Sequence, residues 1–320
     1  YVKLFEMDKV KLTFDKKVHV LVDCGTFVKQ KRDRVDAALK NIKKETGGDL
    51  AVVVISHLHS DHHCGFTENK ELWDDPKHFR VGEVWLPWTE NPRDPAALQV
   101  QETIGLSVFG IREQDADWIR YETGFGGAKR RYLPDGNGLS IPGVNARVDC
   151  FGPPKDPSFF RREQAAERLL RAAGSGSGSG SGSKEPLFAP VHCRLPGKGR
   201  RPLEDVVATE EDVLGVAGKL MNNRSLILLI RYGEHGILLP GDTEQGSWIG
   251  AFDTTDIERH LGDVTVLKVG HHGSWNATPR MLVNALKGPL TSLLSTQAGI
   301  SGENPVKEVR ERLGGLRSEE

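Results

Sequence analysis

Leu50-Ala51-Val52-Val53-Val54-Ile55 runs without a break into Ser56-His57-Leu58-His59-Ser60-Asp61-His62. The first half is an apolar, β-branched run of the length expected for a strand buried on both faces. The second half brings three histidines and an aspartate together where that strand would end. Imidazole nitrogen and carboxylate oxygen are the donors that zinc and similar dications prefer. On a loop leaving a strand, all four can turn toward one point. His57 and His59, two apart in an extended segment, can point the same way. Asp61 and His62 come from the next turn and can face a neighbouring position, so the spacing predicts two metal ions. A histidine-rich polar loop holding no metal is the alternative, but solvation alone gives no reason for this composition at a strand end.

Working outward, the same form recurs. Val18–Val22 is a short apolar run ending in Asp23-Cys24-Gly25. Leu238-Leu239 leads into Pro240-Gly241-Asp242, where glycine lets the backbone turn and present the carboxylate. Val264–Val269 leads into Gly270-His271-His272-Gly273. Taken singly, a Gly-Asp turn is an ordinary β-turn and a His-His pair is ordinarily surface or structure. Several ligand-bearing strand ends in one chain point instead to one site, because open α/β sheets gather ligands at strand ends. A carboxylate can bridge two cations, and Asp242 is assigned that role.

The remaining pattern is that of an α/β protein. Val35, Ala38, Leu39 and Ile42 recur at helical spacing, closed by Gly47-Gly48. Val81–Leu86 and Ala146–Phe151 read as strands, and Ser225–Tyr232 with Gly236–Leu239 as a hairpin around Gly233-Glu234. Met281–Leu286 and Pro305–Leu313 read as helices, and Thr291–Ser295 as a last strand. Residues 174–183 are five uninterrupted Gly-Ser repeats. Such a segment has no side chains with which to build a core, and it reads as an engineered linker replacing an insertion.

A chain of 320 residues with 38% hydrophobic residues and a formal net charge of −1 is of ordinary globular composition. Nothing in that balance points to a strongly acidic or basic partner. Three basic runs, Lys29–Arg34, Lys129–Arg131 and Lys198–Arg201, read as solvated surface, with a polyanion groove as the alternative. No apolar run is long enough to span a membrane and no signal peptide opens the chain, so a cytoplasmic protein is expected. Cys24, Cys64, Cys150 and Cys193 are too irregularly spaced for a disulfide framework and read as free thiols. Trp73, Trp85, Trp88 and Trp118 read as core.

His57-x-His59-x-Asp61-His62 resembles the defining motif of the metallo-β-lactamase superfamily. Asn223-Arg224-Ser225-Leu226, Leu239-Pro240-Gly241-Asp242 and Leu267 through Ser274 are similar to its ComEC-like branch, which includes the hydrolase domain of the competence DNA-uptake protein. The resemblance covers roughly Val18 to Ser295 apart from the Gly-Ser segment and its flanks. It implies one domain over residues 1–320, a four-layer αββα sandwich with metals at one edge between the sheets. By motif, His57 and His59 would hold one ion, Asp61 and His62 the other, with Asp242 between them. His271 is favoured over His272 to complete the second set. Asp23 would orient the metal-binding loop from behind. Many members carry a further histidine just before the strand at Ser225; here the residues are Met221-Asn222-Asn223-Arg224. Asn222, or Asn223, would stand in for it, and His78 and His192 are weak substitutes. The departure leaves metal identity open between zinc and manganese.

Such an ion pair would acidify a shared water and stabilise developing negative charge, so the expected activity is metal-dependent hydrolysis. Asp61 would orient the water and accept its proton, and His272, Ser274 or Asn276 would donate to the substrate or leaving group. The ComEC-like resemblance points to a phosphodiester substrate, nucleic acid included. Hydrolysis of a thioester, lactone or lactam is the second reading. A non-catalytic metal-binding module of a larger parent protein or assembly is the third. A two-iron redox centre is disfavoured, since such enzymes usually carry glutamate where His59 stands.

Overall fold

The computed structural model describes residues 17–26, 32–104, 111–135, 138–160, 219–287, 289–295 and 307–314. The Gly-Ser segment, His192, Cys193 and the third basic run lie outside them, as does the first half of the first.

Two sheets carry the fold. The first has four parallel strands in the order β1 (Val20–Val22), β2 (Asp49–Val54), β3 (Arg80–Pro87) and β4 (Lys129–Leu133). The second has six. Its strands are β5 (Leu139–Ser140), β6 (Arg147–Gly152), β7 (Ile227–Tyr232), β8 (His235–Leu239), β9 (Val264–Lys268) and β10 (Thr291–Leu293), in the order β10-β9-β8-β7-β6-β5. β8, β9 and β10 run parallel, whereas β5 to β8 pair antiparallel. Strands from both sides of the Gly-Ser segment therefore share one sheet. The β7–β8 hairpin closes through Gly233-Glu234, with Gly233 at φ +59°, a left-handed position that glycine adopts without strain.

Helices cover both outer faces. α1 (Arg32–Thr46), α2 (Ser60–Thr67), α3 (Lys70–Asp74) and α5 (Glu113–Arg120) lie on the first sheet. α4 (Pro95–Ile104) belongs to a satellite cluster with Trp88, Phe159 and Phe160. α6 (Gln245–Thr254), α7 (Ile257–His260), α8 (Arg280–Ala285) and α9 (Lys307–Gly314) lie on the second. In α1 the buried residues are Val35, Leu39, Ile42 and Thr46, while Ala38 is exposed, and the helix stops where Gly47 and Gly48 take positive φ.

The period of two along each strand makes the layering. In β2, Val53 and the following Ile55 face the helices, whereas Val52 and Val54 face the other sheet. In β7, Ile227 and Leu229 face the helices, whereas Leu228 and Ile230 face back toward β2. Three stacked cores result, helix on sheet, sheet on sheet and sheet on helix, which is the four-layer αββα sandwich. Trp73, Trp85 and Trp118 are buried in these cores and Trp88 in the satellite cluster.

Of the basic run Lys129–Arg131, Lys129 is exposed, as solvated surface is, and Arg131 is half-buried, but Arg130 departs from that reading. The run lies in strand β4, and the buried Arg130 guanidinium donates to the carbonyl oxygens of Ile119, Ala128, Trp118 and Gly124 at 2.7, 2.5, 3.2 and 3.2 Å. Burial pushes that guanidinium down to about 10. Arg131 pairs with Asp135 at 2.7 Å. Among the described residues no helix is long and apolar enough to cross a membrane, and Cys24, Cys64 and Cys150 are free thiols.

Candidate metal centre

β1 and β2 run parallel, so Asp23 and the His57 loop leave the first sheet at the same edge. β8 and β9 likewise deliver Asp242 and His271-His272 from one edge of the second. The two edges are joined where Leu226 N donates to Ser56 O at 3.0 Å and Asp242 N donates to Ser225 Oγ at 3.1 Å. Gly241, at φ +56°, sits in that junction; a Cβ there would lie 2.9 Å from Ser225 Cβ and 3.0 Å from Ser56 Cβ.

Asp61 and His62 occupy the first turn of α2 rather than a loop. The segment Asp23–Thr26 is strapped across that helix: Cys24 N donates to His62 O and Gly65 N to Cys24 O, both at 2.8 Å. Asp23, His271 and His272 take positive φ of 55°, 44° and 53°. For non-glycine residues each such conformation costs on the order of 1 kcal/mol, and it persists only where surrounding contacts enforce it.

The hydrogen bonds decide which histidine nitrogen carries a proton. His62 Nδ1 donates to Asp23 Oδ2 at 2.8 Å. Ser56 Oγ gives its one proton to Asp23 Oδ2 at 2.7 Å and therefore accepts from His57 Nδ1 at 3.1 Å. Ser274 Oγ gives its proton to Asn276 Oδ1 at 2.6 Å and accepts from His271 Nδ1 at 3.2 Å. His272 Nδ1 donates to the carbonyl of Ser295 at 2.8 Å. In all four rings Nδ1–H is thus tied back to the protein, leaving Nε2 as the outward donor atom.

Those outward atoms converge. His57 Nε2 lies 2.9 Å from His59 Nδ1. His62 Nε2 lies 3.1 Å from Asp242 Oδ2 and 3.5 Å from Asp61 Oδ2, and His272 Nε2 lies 3.4 Å from the same Asp61 oxygen. Two groups of potential ligands, His57 with His62 and Asp242, and Asp61 with Asp242 and His272, each fall within 4.8 Å. Asp242 is common to both. His271 turns elsewhere: its backbone N–H donates to Asp242 Oδ1 at 3.0 Å, and its Nδ1 lies 3.7 Å from Glu244 Oε1. Asn222, buried, donates through Nδ2 to Glu244 Oε1 at 2.8 Å, while its Oδ1 is buried without a partner. Asn223 Oδ1 accepts from Glu244 N at 3.2 Å. His78 pairs with Asp75 at 3.9 Å on an exposed surface.

Electrostatics follow from this packing. Burial, with the neighbouring His62 and His59, holds His57 well below the usual histidine range. Burial also takes His59 down to about 4, against the pull of Asp61, so both rings are neutral with a free lone pair. For His62 burial is outweighed by the carboxylates of Asp242 and Asp23 and by hydrogen bonds to both, which hold it well above that range. Burial disfavours ionised Asp242 and Asp61, but His62 overrides it for the first, and His272 with His62 for the second; both carboxyls are held below their ordinary values. Among the described residues every ion pair of Asp23, Asp61 and Asp242 is to a histidine, and no Lys or Arg neutralises them.

These residues fit a divalent cation. Two donors about 2.1 Å from one ion and at right angles to it lie about 3.0 Å apart, close to the His57–His59 and His62–Asp242 separations. Glu244, Ser56 and Ser225 complete the surroundings and have no signature in the sequence. Glu244 reads there as an ordinary acid at a helix start, and the serines as strand-end residues. A cleft of about 540 Å³ along β4, lined by Trp88, Lys129 and Tyr132 among others, contains none of these candidate ligands.

A family profile described as "Metallo-beta-lactamase superfamily" matches residues 12–289. Recombination protein 2 of Haemophilus influenzae is 33% identical over 92 residues, 29% of this chain and 11% of that protein, so the matched stretch spans about one-ninth of the relative's length. With a profile match over most of its length and two ligand-bearing sheet edges meeting at Asp242, the chain belongs to the metallo-beta-lactamase superfamily.

Proposed function

We propose that the chain is a metal-dependent phosphodiesterase or nuclease of the ComEC-like branch, using two divalent ions, zinc or manganese, with Asp242 shared between them. The carrying observation is that Asp242 belongs to both ligand groups while the imidazoles around it present Nε2. His57, His59, His62 and Asp61 supply the remaining donors. His272, near Asp61 Oδ2, has better support than His271 for the second set, and Asp23 holds His62 in the required tautomer. Asn222 Oδ1, buried without a partner, would stand in for the missing histidine as an oxygen donor, a harder ligand and one suited to manganese. When bound, the ions would supply Lewis-acid stabilisation of negative charge and lower the pKa of water.

The chain's own residues do the rest. Asp61 Oδ2 orients the attacking water and takes up its proton. With Nδ1–H bound to Ser295 and Nε2 given to the second ion, His272 has no proton to donate, and the leaving oxygen would take the one that Asp61 has accepted. His271 and Ser274 fix the loop that carries His272. The phosphodiester substrate is supported by the likeness to a protein named for recombination, a process of nucleic acids. The small share of that relative's length supports a working context in a larger protein or assembly.

The test is hydrolysis of bis(p-nitrophenyl) phosphate beside a thioester, a lactone and a lactam, with zinc or manganese. The expected result is preferential phosphodiester cleavage, falling at least about 10²-fold in Asp61→Ala. Turnover confined to one of the other esters or amides would replace the phosphodiester reading.

A further inference from the structure

The chain has six tryptophans. Trp73, Trp85, Trp88, Trp118 and Trp248 are at most 8% exposed, whereas Trp275 is 43% exposed. Trp275 makes no ring contact or hydrogen bond with another described residue. It stands three positions after His272, so its Cα lies within about 10 Å of that residue's. Leu294, another of the few large apolar side chains left exposed, immediately precedes Ser295, whose carbonyl holds His272 Nδ1. Among the described residues, two of the five exposed large apolar side chains thus flank one candidate catalytic histidine.

The ring is exposed on a loop that is itself held firmly. Ser274 N donates to His271 O at 2.9 Å and Ala277 N to Ser274 O at 3.3 Å. Ser274 Oγ bridges His271 and Asn276, and Trp248 Nε1 donates to Ala277 O at 3.1 Å. A large aromatic surface left in water costs hydrophobic free energy, and a rigid backbone gives it no route into the core.

We infer that Trp275 is a stacking platform for the nucleobase next to the scissile phosphodiester, making single-stranded nucleic acid the substrate class. This rests on the phosphodiesterase reading. A flat π-face beside a phosphodiester site suits a nucleotide, because every base offers a matching face, and stacking is tolerant of sequence. A simple diester without a flat substituent would gain nothing from it.

The experiment compares kcat and KM for an oligothymidylate and for an abasic deoxyribose-phosphate chain of the same length, in wild type, Trp275→Ala and Trp275→Phe. Quenching of tryptophan emission by the oligothymidylate is read in parallel. The wild type prefers the base-bearing chain by about tenfold, carried in KM. In Trp275→Ala the ratio falls toward one and the quenching is lost, whereas Trp275→Phe retains most of the preference. A preference unchanged in Trp275→Ala overturns the platform and leaves the phosphodiesterase reading standing. Failure of the wild type to cleave either chain while it hydrolyses bis(p-nitrophenyl) phosphate overturns the platform alone, and failure on that diester as well overturns the phosphodiesterase reading with it.

Discussion

Asp23 and His62, 39 residues apart, are joined by a 2.8 Å hydrogen bond from His62 Nδ1 to Asp23 Oδ2. Asp23 also accepts from Ser56 N and Ser56 Oγ, each at 2.7 Å. One carboxylate therefore fixes the ring of one candidate ligand and, through Ser56, the tautomer of His57. Replacing it with alanine frees both rings and leaves buried Ser56 with an unmatched donor. Asp23→Ala is expected to weaken metal binding about 10- to 100-fold, read by calorimetric titration with zinc and manganese. An affinity within about twofold of wild type would contradict this role.

Gly25 is required by space. A Cβ there would lie 2.3 Å from Asp61 O and 2.9 Å from His62 N, backbone atoms that cannot swing aside. Gly25→Ala is expected to push the first turn of α2 away from Asp242, lowering stability by about 1–3 kcal/mol and metal affinity at least tenfold. Denaturant unfolding and metal titration report the two effects. A variant with wild-type metal affinity would show that the strap does not set the site.

Farther from the centre, Glu90 is fully buried between Arg120, at 2.5 Å, and Arg224, the residue preceding Ser225 in the junction between sheets. Burial would raise its pKa, but the guanidiniums of Arg224 and Arg120 outweigh it and hold Glu90 below the ordinary carboxylate range. A depressed folded-state pKa means that the stabilisation is present above the unfolded value of about 4.3. It is lost as pH falls through the folded-state value. Glu90→Gln strands two buried cations and is expected to cost about 3–5 kcal/mol at pH 7. The gap from wild type should narrow in acid below about pH 4. Urea unfolding across that range checks both statements, and a cost under about 1 kcal/mol at neutral pH would refute the first.

The strands that carry the site were readable because each is an apolar run with a ligand type at its end, and burial on both faces leaves no polar interruption. α2 was not readable. Its sequence, Ser-Asp-His-His-Cys-Gly-Phe-Thr, has no apolar stripe at helical spacing because the strap of Asp23–Thr26 buries polar side chains there. β4 reads as a charged surface because a sequence does not reveal that Arg130 ends among four carbonyl oxygens. Glu244 carries no signal in the sequence because its partners, Asn222 and His271, lie 22 and 27 residues away and meet it only through the second sheet. The geometry also gives His272 and His271 different surroundings, a distinction that two adjacent identical residues cannot carry in sequence.

The central claim, a binuclear centre bridged by Asp242, is tested most directly by metal content. The measurement is elemental analysis of the purified protein, Asp242→Ala and Asp61→Ala after equilibration with zinc or manganese and removal of free ions. About two ions per wild-type chain are predicted, with Asp242→Ala losing both sites and Asp61→Ala at least one. A wild-type protein that binds no metal, or an Asp242→Ala variant that retains the full complement, would contradict the account.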